Sequence, residues 1–154
     1  MNLITDRTQF DVDLVKSLVV KGYVNLSESE KAQWDSSLKG SYNASDLNRV
    51  GEAINYLKDL LSSAGYYIKG EAKVDFTEMA IPTREQLEHY LDMLGRVRKA
   101  IKVYPSTPEL PTSMDALNYR SANNIEKMLL DVEELLFKLQ QSYMYCGELY
   151  CGGM

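Results

Sequence analysis

Hydrophobic residues return every three or four positions along three long stretches of this chain. In "SDLNRVGEAINYLKDLLSSAGYY" they are Leu47, Val50, Ile54, Leu57, Leu61 and Ala64. In "PTREQLEHYLDMLGRVRKAI" they are Leu87, Tyr90, Leu94, Val97 and Ile101, and in "SANNIEKMLLDVEELLFKL" they are Ile125, Leu129, Val132, Leu136 and Leu139. That period gathers each set on one side of an α-helix, so the spacing predicts long helices from Asp46 to Ala64, Thr83 to Ile101 and Ser121 to Gln140. Leu130 and Leu135 widen the third stripe beyond a simple two-helix seam. Ser45 is an N-cap candidate for the first helix and Gly65 its stop. Pro82 and Thr83, with Gln86 three residues after the threonine, form a capping-box start for the second. Overlaid, Val50, Tyr90 and Ile125 take equivalent places, as do Ile54, Leu94 and Leu129, then Leu57, Val97 and Val132. Asn48 falls on Asn123, and Glu88 stands there in the middle copy. The pattern is that of one helix used three times, or of three amphipathic helices that align by their shared period.

Two shorter helices precede these. "TQFDVDLVKSLVVKGY" has Thr8 as a cap, Leu14, Val15, Leu18 and Val19 as its buried side, and Gly22 as its stop. "LSESEKAQWDSSLKG" opens with the box Ser27 to Glu30, offers Ala32, Trp34 and Leu38 for packing, and closes at Gly40. Elsewhere the period changes to two. From Tyr67 to Phe76, Ile68, Ala72, Val74 and Phe76 alternate with polar residues. In the tail, Tyr143, Tyr145, Leu149 and Cys151 alternate with Met144, Cys146, Glu148 and Tyr150. Both read as strands, and two strands alone need a bundle or another chain to complete them. Pro105, Pro108 and Pro111 predict an extended connector crossing the surface.

The expected fold is therefore mainly α: a helical bundle of three long and two shorter helices with a small β-ribbon at about 66–76 and 143–151. The organisation is a single domain over 1–154. It comprises an N-terminal helical hairpin (1–40), two long helices flanking a strand (41–104), a proline-rich connector (105–112), and a long helix with a C-terminal strand (113–154). A length of 154 residues, 45% of them hydrophobic, suits one buried core.

Charge and chemistry narrow the function classes. A net charge of −5 without a Lys/Arg run argues against nucleic acid as a partner. No apolar run approaches the ~20 residues of a membrane span, and "MNLITDRTQFDVD" is too polar for a signal peptide, so the expectation is a soluble chain made in a cytoplasm. On a strand, Cys146 and Cys151 lie some ~16 Å apart on opposite faces, too far for a bridge. His89 stands alone as a further metal ligand. The cysteines therefore read as structural or incidental, with no metal and no cofactor expected. There is no nucleophile elbow, phosphate loop or His-Glu-x-x-His pair, and Glu133 with Glu134 reads as a solvated helix face. No catalytic residue is nominated.

Interface candidates are more numerous. Eleven tyrosines are present, and Tyr66, Tyr67, Tyr143, Tyr145 and Tyr150, together with Leu149, suit either the seam between ribbon and bundle or a contact with another molecule. Arg49 is the remaining candidate. A cation at a helix start opposes the macrodipole, so either a specific acidic partner holds it or it stands as an ordinary solvated arginine.

Five segments also carry a resemblance: "LITDRTQFDVD", "KGSYNASDLNRVGEAINYL", "VDFTEMAIPTREQLEHYLDML", "LNYRSANNIEKMLLDVEELL" and "YCGELYCGG". In order and over nearly the whole chain, they resemble small proteins encoded among the tail and host-recognition genes of phages and prophages of Gram-positive gut bacteria. Asp46, Leu47, Asn48, Arg49 and Val50 match one helix motif of that group, and Asn123, Ile125, Glu126 and Lys127 match another. Phe76 and Ala80 stand where the group has Trp and Asp, and Cys146 and Cys151 stand beside tail glycines where small polar residues are usual. The resemblance implies a virion structural component of tail or fibre with no enzymatic role, partnered by copies of itself and by other virion proteins. A rival reading is a tail module binding a glycan or protein on the host surface, and a weaker one is a regulatory protein inside the host.

Overall fold

Local signals start and stop each helix. In the computed structural model, which describes residues 1–36, 38–115 and 117–150 (the last eight by their backbone alone), α1 spans Gln9–Lys21. The Thr8 hydroxyl accepts from the Asp11 N–H, and the Asp11 carboxylate accepts in return from Thr8. A 3-10 turn, Tyr23–Asn25, follows Gly22, whose φ of 74° suits a residue without Cβ. Helix α2, Glu28–Asp35, starts on the Ser27–Glu30 box. Helix α3, Ala44–Ser63, is capped by Asn43 rather than by Ser45, and the turn at Gly65 brings the Tyr66 N–H to the Leu61 carbonyl at 2.8 Å. Helix α4, Arg84–Ala100, uses the Thr83–Gln86 box, and Asn118 accepts from Ser121 at the start of α5, Tyr119–Tyr150.

Helices α3, α4 and α5 point the same way. The first turns of α3 meet Glu126 near the start of α5, and Tyr56 and Leu60 share a groove with Leu130 and Phe137 further along both. Residues 68–76 descend along α3, with Phe76 at Asn48, Ala72 at Asn55 and Glu71 at Lys58, while His89 and Arg96 of α4 reach Glu71 and Lys69. Parallel helices need long return connections, and these fill the grooves between them. The α3/α4 groove holds 68–76. Between α4 and α5 lies 103–115, where Glu109 pairs with Arg98 and buried Thr107 donates to Asp131 at 2.8 Å. Into the α5/α3 groove goes the amino-terminal segment Met1–Thr8.

The core lies inside this ring. The nine overlaid positions, Val50 through Val132, are all 0–2% exposed, joined by Leu61, Met93, Met128 and Leu136. Leu87 and Leu91 are only half-buried.

Four expectations need correction or detail. No strand forms among the described residues: 66–76 is extended but has no second strand to pair with, because the backbone of 143–150 continues α5. Once α5 is nucleated, each further residue adds a hydrogen bond at little cost, and Tyr143, Cys146 and Tyr150 also fall at helical steps of three and four. Cys151 lies outside the described residues. The proline-rich connector is tied down where it crosses the surface: within 105–112, Thr107 is buried and Leu110 leans on the core, while Pro105, Ser106, Glu109 and Thr112 are exposed. In α1 only Leu18 is buried, and Val19 is exposed. Helix α2 ends at Asp35, well before Gly40, which instead presses on the backbone of Asp11: a Cβ there would lie 2.0 Å from the Asp11 carbonyl oxygen.

Candidate functional site

Charged side chains enter the interior at one end of the bundle. Asp46 in the first turn of α3 and Glu126 on α5 are 5% and 0% exposed, and Arg7 of the amino-terminal segment is 4% exposed. Arg7 Nη2 donates to Asp46 Oδ1 at 2.9 Å and to Glu126 Oε1 at 2.7 Å. Arg49 Nη2 donates to the same two oxygens at 2.5 and 2.9 Å. Two cations and two carboxylates thus close a four-cornered ring with no net charge, which is how buried ions avoid an uncompensated desolvation penalty. The remaining capacity is largely used. Arg7 Nη1 donates to the Ile4 carbonyl at 2.7 Å, the Ile4 N–H donates to Glu126 Oε2, and the Asn43 N–H donates to Asp46 Oδ2 at 3.0 Å.

Tyr42 seals one side of the ring. The Arg7 guanidinium lies 5.5 Å from its ring centroid, and its hydroxyl is 2.8 Å from that of Tyr90. Burial pushes both phenols well above their ordinary ionisation range, and the nearby carboxylates of Glu126 and Asp46 add to the effect. For Arg49 burial alone would weaken the cation, but the hydrogen bonds to Glu126 and Asp46 outweigh it and raise its pKa.

Three asparagines do a second job. Asn48 donates to the Phe76 carbonyl at 2.9 Å and accepts from the Phe76 N–H at 2.8 Å, and Asn55 grips Ala72 in the same way. Asn123 holds both backbone groups of Arg7. A side-chain amide has the donor–acceptor pair of a peptide, so each asparagine replaces the missing neighbouring strand. Gly51, between Asn48 and Asn55, lets the segment lie close: a Cβ there would stand 2.4 Å from the Lys73 carbonyl oxygen.

The ionic ring is a lock on Met1–Thr8, since both of its carboxylates are met from within the chain, while among the described residues the buried Nε–H groups of Arg7 and Arg49 have no hydrogen-bond partner. The surfaces open to other molecules lie elsewhere. On the α1 hairpin, Phe10, Val19, Val20 and Val24 are 75%, 58%, 86% and 90% exposed. Beyond Met1, no described residue fills the α5/α3 groove, which forms an opening of about 350 Å³ lined by Tyr56, Leu60, Leu130, Glu133, Glu134, Leu136 and Phe137.

Of the interface candidates read from sequence, Arg49 is drawn into the ring, with its side chain 22% exposed. Tyr66 and Tyr67 are exposed, the latter at 83%. The side chains of Tyr143, Tyr145, Leu149 and Tyr150 lie outside the described residues. Sequence reasoning missed Arg7, Asp46 and Glu126 as a unit. The one available signal was Arg49, a cation at a helix start for which an acidic partner was one of the two readings. No group of His, Cys, Asp and Glu suited to a metal ion occurs among the described residues, and no helix there is long and apolar enough to cross a membrane. The chain matches no family model, no curated protein and no solved structure.

Proposed function

We propose that this chain is a structural subunit of a phage particle, associated with tail or fibre, made in the host cytoplasm and assembled with copies of itself and other virion proteins. The observation that carries the assembly part is the α1 hairpin. Phe10, Val19 and Val20 face solvent on a helix that leaves only Leu18 in the interior, and Val24 in the 3-10 turn after it is exposed as well. Val19, Val20 and Val24 stand close in sequence at one end of the hairpin, and exposed apolar side chains close together support a contact surface there. The phage assignment rests on the sequence resemblance. The contacts are helical, since the C-terminal strand once expected to join subunits is part of α5. No reaction is assigned to the chain.

Sedimentation velocity over a wide concentration range tests the reading directly, alongside a search for the chain in purified particles. Association rising with concentration and presence in the particle support it. A chain that remains monomeric, is missing from particles and binds host cell walls would instead favour the receptor-binding module, for which exposed Tyr67 beside Tyr66 is the surface to examine.

A further inference from the structure

The hairpin that carries α1 and α2 is fastened to the amino-terminal segment and not to the bundle. Among the described residues, no hydrogen bond or ion pair joins 9–40 to anything beyond Ser41. The pairs Lys21–Glu30 and Lys31–Glu28, and the edge-on contact of Tyr23 with Trp34, all close within the hairpin. Its buried leucines, Leu18 and Leu26, lie outside the core cluster, and no other described apolar residue of the hairpin packs against that cluster. The base of the hairpin is closed by Gly40 on the Asp11 backbone and tied to the preceding segment by the Lys39–Asp6 pair at 2.6 Å.

Met1–Thr8 then holds both to the bundle. Among the described residues of 1–41, Leu3 alone packs on the core, whose buried members all lie between Leu47 and Leu136. The polar grip is concentrated at Ile4 and Arg7, on Glu126, Asp46 and Asn123. The chain rejoins the bundle at Tyr42, bonded to Tyr90, and at Asn43, the cap of α3. Ser41 still belongs to the other side, since its N–H and its hydroxyl both donate to the Leu38 carbonyl. Residues 1–41 can therefore leave without removing a buried side chain of the core or the cap of α3. The segments in the other two grooves run between long helices at both ends and lack this freedom.

We propose that residues 1–41 are an arm that opens from the bundle as one unit, latched by the ionic ring and hinged where Ser41 joins Tyr42. Opening draws Arg7 out of the ring and leaves Asp46 and Glu126 with Arg49, whose side chain already reaches the surface. It bares one continuous groove between α3 and α5, from the seat of Leu3 beside Ala53 and Tyr56 to Leu130 and Phe137. Parts of a protein with few buried contacts open at a lower free energy than the whole domain, and lids and moving elements are drawn from them. The arm is the switchable part of a fold whose three long helices stay packed, and this holds whether or not the chain assembles.

Native-state hydrogen exchange on the full chain, followed at denaturant concentrations below the unfolding transition, tests it. The Ile4 and Arg7 amides are expected to share one opening, at least tenfold more frequent than that of the Ile54 and Leu129 amides in the core helices. Arg7→Gln loosens the latch from the arm's side and should raise exchange at Ile4 a further tenfold, with Ile54 and Leu129 unchanged. Small-angle X-ray scattering should then show a longer maximum dimension for Arg7→Gln than for wild type at the same helical circular dichroism signal. If the Ile4 and Arg7 amides of the wild-type chain exchange in step with Ile54 and Leu129, the arm does not open by itself and the proposal is overturned, whatever the variant does. It is equally overturned if Arg7→Gln frees Ile4 while the scattering stays that of wild type, because the segment then peels away without the hairpin.

Discussion

At the scale of single residues, the two arginines of the buried ring are not equal. Arg49 meets both carboxylates through Nη2 alone, whereas Arg7 adds Nη1 on the Ile4 carbonyl. A lysine ammonium reproduces a one-nitrogen bridge but not a two-nitrogen fork. Arg49→Lys is therefore expected to cost under about 1 kcal/mol in denaturant unfolding. Arg7→Lys should cost more, and Arg7→Ala about 3–5 kcal/mol, because it leaves the two buried carboxylates of Asp46 and Glu126 to share the single counter-charge of Arg49. An equal cost for the two lysine variants would contradict this ranking. The paired phenols give a pH prediction. Tyr42 and Tyr90 have folded pKa values raised above the ordinary 10.0, so the unfolded chain gives up these protons first. Their effect on stability is nil below pH 10 and grows unfavourable above it. In an ultraviolet titration, two of the eleven tyrosines should stay protonated until alkaline unfolding releases them together.

Among the elements, the extended segment 68–76 depends on side chains rather than on a sheet. Replacing Asn48 or Asn55 by Ala leaves both backbone groups of Phe76 or Ala72 without their partner, at about 1–3 kcal/mol for each buried group left unsatisfied. Hydrogen exchange at the Phe76 and Ala72 amides reads this directly: protection should vanish at the corresponding site and persist at the other. Gly51→Ala makes a sharper test. In an exposed helix Ala is favoured over Gly by about 1 kcal/mol, yet here its Cβ collides with the Lys73 carbonyl, so the sign should reverse. The helix stripes were legible because a period near 3.6 leaves one interpretation over many residues. The segment itself was misread for a physical reason: Ile68, Ala72 and Phe76 fix its extended backbone and its buried side, but nothing in them says what satisfies its peptides. The alignment of Asn48 with Asn123 was the visible trace of that arrangement. The ionic ring was less legible still, because Arg7 lies in a polar stretch 119 residues from Glu126 and neither position follows a period. Only Arg49's need for an acidic partner hinted at it.

For the whole molecule, the parallel arrangement makes the central layers indispensable to one another. Ile54→Ala and Leu129→Ala, both at fully buried positions, should each cost about 2–5 kcal/mol. The loss should appear as one cooperative transition at lower Tm, and values below about 1 kcal/mol at both sites would deny the shared core. The lock on the amino-terminal segment has a consequence for synthesis. Met1–Thr8 leaves the ribosome well ahead of the carboxylate and amide that receive it, because Glu126 and Asn123 lie 119 and 116 residues beyond Arg7. At typical translation speeds that leaves a delay on the order of ten seconds. During it Arg7 has at most Asp46 to pair with, and the α3 flank stays uncovered. A nascent chain halted before α5 emerges should thus be open to proteases within Met1–Thr8, and closure of that segment should report that α5 has arrived.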